Sequence, residues 1–131
     1  MIALDTNVLV RFLVEDDEAQ TERVRAFLAQ TIGTGEKCFI SDVVLCEIVW
    51  VLERRYKLSH VEISQALERL LNAQHLAFAS VDLLYRALDA YRSGQGDFAD
   101  YVIREHALAH ACGGVATFDG DLLTEHGFLA V

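Results

Sequence analysis

The first ten residues leave this chain few folds. Ile2-Ala3-Leu4 is a short apolar run without polar alternation. It stops on Asp5-Thr6-Asn7, and Val8-Leu9-Val10-Arg11-Phe12-Leu13 then takes up an amphipathic helical pattern. Such an unalternating run reads as a strand buried on both faces, as in a parallel sheet covered by helices. Thr6 or Asn7 is placed to cap the helix, since either side chain accepts a hydrogen bond from the free amides of a first turn. Asp5 then falls at the carboxyl end of a central strand, where open α/β sheets hold their ligands. A carboxylate there is costly unless a cation pairs with it. The plainer alternative is that Asp5 itself caps the helix.

The same alternation continues. Asp17 can cap a helix over 18–31 whose apolar positions are Ala19, Val24, Phe27 and Leu28. After the Gly33-Thr34-Gly35 turn, Cys38-Phe39-Ile40 reads as a second buried strand, with Ser41 as the cap of a helix over 42–56. Ser59 and Glu62 form a capping-box pattern opening a fourth helix to about residue 72. A short strand over 75–79 follows, and Ser80 caps a fifth helix through Leu83, Leu84, Ala87, Leu88 and Tyr91, ended by Gly94 and Gly96. A sixth helix runs from there to about residue 112, with Ala99, Val102, Ile103 and Ala107 as its packing stripe. Val115-Ala116-Thr117 is a further strand, 122–125 one helical turn, and 128–131 a last edge strand. Strand and helix in alternation predict an α/β fold.

With 131 residues, 53% of them hydrophobic and 24% charged, the chain is expected to form one globular domain, 1–131. No apolar run approaches bilayer length, and no basic region precedes the first one, so a cytoplasmic protein without membrane contact is expected. Cys38, Cys46 and Cys112 are odd in number and lack paired metal spacing, which fits free thiols. A net charge of −9 excludes a protein that grips nucleic acid by bulk charge. It leaves an acidic surface, a site that concentrates divalent cations, or a basic protein partner.

Where the acids stand is more informative than their number. Glu47 lies three or four residues from Val43, Val44, Trp50 and Val51, inside the apolar stripe of its helix; the alternative is an edge glutamate reaching water. Asp97 and Asp100 share one face at the start of the sixth helix, where peptide dipoles favour negative charge. Capping by Asp97 explains one of the two and leaves Asp100 unexplained. Asp119, followed by Asp121, ends a strand as Asp5 does. Four or more converging carboxylates without a lysine repel unless they bind hard cations, and oxygen donors suit Mg²⁺ or Mn²⁺. His106, His110 and Cys112 suggest zinc, but further ligands at suitable spacing are missing and a structural role is expected.

At this point the chain resembles the PIN domain family, and more narrowly the VapC-like toxins of type II toxin–antitoxin pairs. The resemblance rests on Leu4-Asp5-Thr6-Asn7, on Glu47 within Leu45-Cys46-Glu47-Ile48-Val49-Trp50-Val51-Leu52, on Asp97-Phe98-Ala99-Asp100 and on Thr117-Phe118-Asp119, and it spans nearly the whole sequence. It implies a three-layer α/β/α sandwich around a mostly parallel sheet of about four or five short strands. It further implies Mg²⁺- or Mn²⁺-dependent endoribonuclease activity leaving 5′-phosphate and 3′-hydroxyl ends, homodimerisation, and inhibition by a cognate antitoxin with a basic segment. By matching positions, Asp5, Glu47, Asp100 and Asp119 form the acidic quartet and Asp97 is an auxiliary metal ligand. Thr6, Asn7, Thr117 and Asp121 are polar support. Arg11 and Arg104 are candidate contacts to RNA phosphate, the alternative for Arg104 being an i,i+4 pair with Asp100. One departure is Tyr101, where a small residue commonly follows the third acid.

Two other readings use similar residues. Receiver domains and haloacid-dehalogenase-like phosphatases need a lysine late in the chain, yet the last is Lys57; the phosphatase also needs Asp at position 7, which is Asn. A non-catalytic binding module of the same fold stays open, because fold does not fix function.

Overall fold

Strand and helix alternate in the order β1 (Ile2–Ala3), α1 (Thr6–Leu13), α2 (Glu18–Gly33), β2 (Cys38–Phe39), α3 (Asp42–Arg54), α4 (His60–Asn72), β3 (Leu76–Ala77), α5 (Val81–Ser93), α6 (Phe98–Ala109), β4 (Val115–Thr117) and β5 (Phe128–Ala130). A single 3-10 turn over Leu122–Thr124 precedes β5. The computed structural model describes residues 1–131 and divides into two units, Met1–Ala79 and Ser80–Val131. The α/β class and the parallel pairing of every strand are as the sequence predicts.

In the first unit the sheet order is β1-β2-β3, with Ile2 opposite Cys38 and Cys38 opposite Leu76. The middle strand is therefore β2, not β1. It has a hydrogen-bonded neighbour on each side, and Cys38 and Ile40 are buried there. Ile2 and Ala3, at the sheet's edge, are exposed, and only Leu4 of that run is buried, which corrects the expectation of a strand covered on both faces.

Local chemistry sets the helix starts. Asp17, Ser41 and Ser80 each accept from the amide three residues on, and Ser59 and Glu62 complete a capping box. The exception is α1, which begins at Thr6, so Thr6 and Asn7 lie inside the helix rather than capping it. Asp5 occupies the N-cap position with extended backbone, and its side chain makes no capping bond.

The buried face of α3 is Leu45, Ile48, Val49 and Leu52, packed with Leu9, Val10 and Ile40 of the unit's core. Glu47 is exposed and shares its side of the helix with Val43 and Trp50, which are also exposed. The inward position expected for Glu47 is thus overturned. This helix is apolar almost all round, so two stripes satisfied the helical period and only packing chose between them. On α2 the buried residues are Thr21 and Thr31, whose hydroxyls bond the carbonyls of Arg11 and Phe27; the expected core residue Phe27 is exposed.

In the second unit β4 and β5 pair in parallel, Val115 opposite Phe128 and Thr117 opposite Ala130. Leu84, Leu88 and Tyr91 of α5 are buried with Phe98, Tyr101 and Val102 of α6, and Tyr91 meets Phe98 edge to face at 6.0 Å. Ile103, expected on the packing stripe, is exposed; the buried position two residues on is Glu105, held by Arg86 at 2.9 Å and Arg104 at 3.1 Å. No helix is long and apolar enough to cross a membrane.

Candidate functional site

In the first unit Asp5 ends the β1 segment and opens α1, its carboxylate exposed. Thr6, the next residue, is buried, and its hydroxyl donates to Glu47 Oε2 at 3.0 Å. That bond fastens the start of α1 to the middle of α3 and fixes Glu47 beside the residue that follows Asp5. Asn7 is exposed on the first turn.

Arg11, expected as an RNA contact, is committed elsewhere. Its guanidinium bonds Asp16 at 2.7 Å and the Tyr56 hydroxyl at 3.2 Å, and that hydroxyl donates to Asp16 at 2.7 Å. The Tyr56 bond, with the charge of Arg11 behind it, holds the Asp16 carboxyl below its ordinary value. The thiol of Cys46, in α3, is pushed up to about 11 by burial and by the charges of Asp42 and Glu47.

In the second unit Asp97 stands at the N-cap of α6, and its backbone N–H donates to Asp100 Oδ2 at 2.9 Å. Asp100 is therefore the reciprocal acceptor of a capping box, a role that spacing alone had not given it. Burial nonetheless pushes its carboxyl up; the hydrogen bond from Asp97 partly offsets this, and the like charges of Asp97, Asp119 and Glu125 add to it. Asp119 is held by its own turn: its amide donates to Thr117 Oγ1 and its Oδ1 accepts from the amide of Asp121, both at 3.0 Å.

Tyr101 is accommodated by construction around it. Its ring is fully buried; its hydroxyl accepts from Gly96 N–H at 2.9 Å and donates to the Glu125 carboxylate at 2.8 Å. Burial pushes this phenol up to about 12. A Cβ at Gly94 would stand 1.9 Å from the hydroxyl oxygen, and one at Gly96 would stand 2.6 Å from Leu122 and 3.2 Å from Asp100 Oδ2. The two glycines are thus required by close approach, not only as helix stops. Glu125 is the acid that sequence reasoning missed. The signal was a buried tyrosine hydroxyl in need of an acceptor.

Arg104 neither pairs with Asp100 nor faces outward. Its side chain is 12% exposed, lies over the rings of Tyr101 and Phe128, and bonds Glu105 and the carbonyl of His126. His110 Nδ1 lies 2.9 Å from the carbonyl of His106, a contact at the helix end.

Carboxylates alone are the donor set that a hard divalent cation prefers. The acids match such an ion in kind, and within either unit no three His, Cys, Asp or Glu side chains are gathered closely enough to hold one.

The model of the family described as the PIN domain matches residues 2–128. A VapC ribonuclease of Aquifex aeolicus (strain VF5) is 32% identical over 100 residues, covering 76% of this chain and 73% of that protein. The family match reaches across the strand ends and helix starts that carry the acids, and the chain belongs to the PIN domain family as a VapC-like member.

Proposed function

We propose that this protein is a metal-dependent endoribonuclease that cleaves RNA phosphodiester bonds as the toxin of a toxin–antitoxin module. The observation that carries the reading is Asp100, a half-buried carboxylate at a helix start that faces three acids of its own sign. Such crowding destabilises the fold unless a cation offsets it. The likeness to a VapC ribonuclease supports the reaction.

In this reading Asp5, Glu47, Asp100 and Asp119 hold one or two Mg²⁺ or Mn²⁺ ions, with Asp97 as an auxiliary ligand. Such an ion, when bound, would supply Lewis acidity toward the phosphodiester and the attacking water. The chain's own work is positioning. Thr6 fixes Glu47, Thr117 and Asp121 fix the turn that bears Asp119, and the opening dipoles of α6 favour the charge of Asp100. Asn7 supports the first of these groups. An antitoxin whose basic segment meets the acids is the partner that a net charge of −9 favours. The protein acts as a homodimer of single-domain chains in the cytoplasm.

One rival is a PIN-fold module that binds without cleaving, because fold does not fix function. Cleavage decides between them. Single-stranded RNA incubated with the protein is expected to be cut in Mg²⁺ or Mn²⁺ and left intact in EDTA. Glu47→Gln, with an unchanged circular dichroism spectrum, is expected to cut orders of magnitude more slowly. Cutting that persists in EDTA, or wild type that cuts no RNA with either ion, contradicts the proposal.

A further inference from the structure

Of all large apolar side chains here, Phe118 is the most exposed, at 90%. It is also the residue immediately before Asp119. We infer that Phe118 is a stacking platform for a nucleobase of the RNA substrate, holding the chain beside Asp119; this rests on the ribonuclease reading above.

Three observations carry the inference. The backbone under Phe118 is fixed on both sides: Thr117 pairs with Ala130 in the β4–β5 ladder, and the Asp119 amide bonds Thr117 Oγ1. The ring therefore projects from a held position although it packs against almost nothing. Beyond Asp119 there is room for a ligand, since a Cβ built on Gly120 meets no atom within 4 Å.

The third observation is electrostatic. RNA is ordinarily held through its phosphates by lysine and arginine. From residue 80 onward the basic chains charged at neutral pH are Arg86, Arg92 and Arg104. Arg86 and Arg104 are paired with Glu105, and Arg92 with Asp89. This unit thus lacks an uncommitted cation for phosphate while it carries the acids that repel a polyanion. Base stacking needs no charge and tolerates any sequence, because every base has a π-face.

The test uses full-length Asp5→Asn protein, so that RNA binds without being cut, and two fluorescent probes of equal length. One is a mixed-sequence single-stranded oligoribonucleotide; the other has abasic sites throughout. Adding Phe118→Ala is expected to weaken binding of the first roughly 5- to 150-fold and to leave binding of the second unchanged. Phe118→Trp should retain the affinity. The melting temperature should not move in either variant, since the ring supports no core. Equal binding by Phe118→Ala and its parent overturns the inference while wild-type cleavage keeps the ribonuclease reading. So does an unchanged RNA affinity with an altered oligomeric state, which assigns the ring to a protein contact. A wild type that neither binds nor cuts RNA removes both.

Discussion

Asp16 and Asp100 show how one residue type takes opposite roles from its surroundings. Asp16, bonded by Tyr56 and Arg11, has a lowered pKa. Its stabilising contribution is present above the ordinary carboxylate value and lost as pH falls through its own. Asp100 has a raised pKa, so its ionised form opposes folding at neutral pH, and that penalty disappears as pH falls below its folded value. Tyr101 works at the same scale, joining Gly96, Asp100's neighbour in the fold, to Glu125. Tyr101→Phe keeps the edge contact with Phe128 but leaves the buried Gly96 amide and the Glu125 carboxylate without that hydroxyl. The expected loss is about 1–3 kcal/mol, read as a lower urea midpoint at unchanged slope. An unchanged midpoint would mean that water replaces the hydroxyl at no cost.

Helices and strands were legible to different depths, and the reason is the range of the forces involved. Ser41, Ser59, Ser80 and Asp17 cap through bonds to amides three residues away, so sequence alone located those starts. The exposed face of α3 was not legible, because Val43, Val44, Val49, Trp50 and Val51 surround the helix and only contacts from distant segments choose the side. The edge position of β1 is likewise a matter of sheet order. Among the acids, Asp5, Glu47, Asp100 and Asp119 stood out because they end strands or open and line helices. Glu125 did not, since its partner Tyr101 lies 24 residues away in sequence. The tie between α5 and α6 through Glu105 is also nonlocal, and it yields a prediction. Glu105→Gln removes the charge that both Arg86 and Arg104 face; Arg86 can turn to water, being 56% exposed, whereas Arg104 cannot. A loss of about 1–3 kcal/mol is expected by chemical denaturation, with Arg86→Gln costing less than about 1 kcal/mol. Equal losses for the two would place the weight of the triad on Arg86 instead.

Across the whole molecule, a net charge of −9 coincides with acids set at element ends and few cations among them. On the proposed function the chain tolerates this repulsion because a bound ion offsets it, so stability and activity pull against each other at the site. Asp100→Asn separates the two. The amide keeps an acceptor for the Asp97 N–H and removes the charge. The raised pKa already nets that hydrogen bond against burial and like-charge repulsion, so folding penalises the charged form of this carboxyl. The decisive measurement is therefore the melting temperature of Asp100→Asn beside wild type, in EDTA and in Mg²⁺ or Mn²⁺, with RNA cleavage assayed on the same samples. A metal site at Asp100 predicts that the variant melts higher than wild type in EDTA, gains much less from the ion, and cuts RNA orders of magnitude more slowly. A variant that melts lower in EDTA, by the roughly 1 kcal/mol of a lost cap, and still cuts RNA would contradict it.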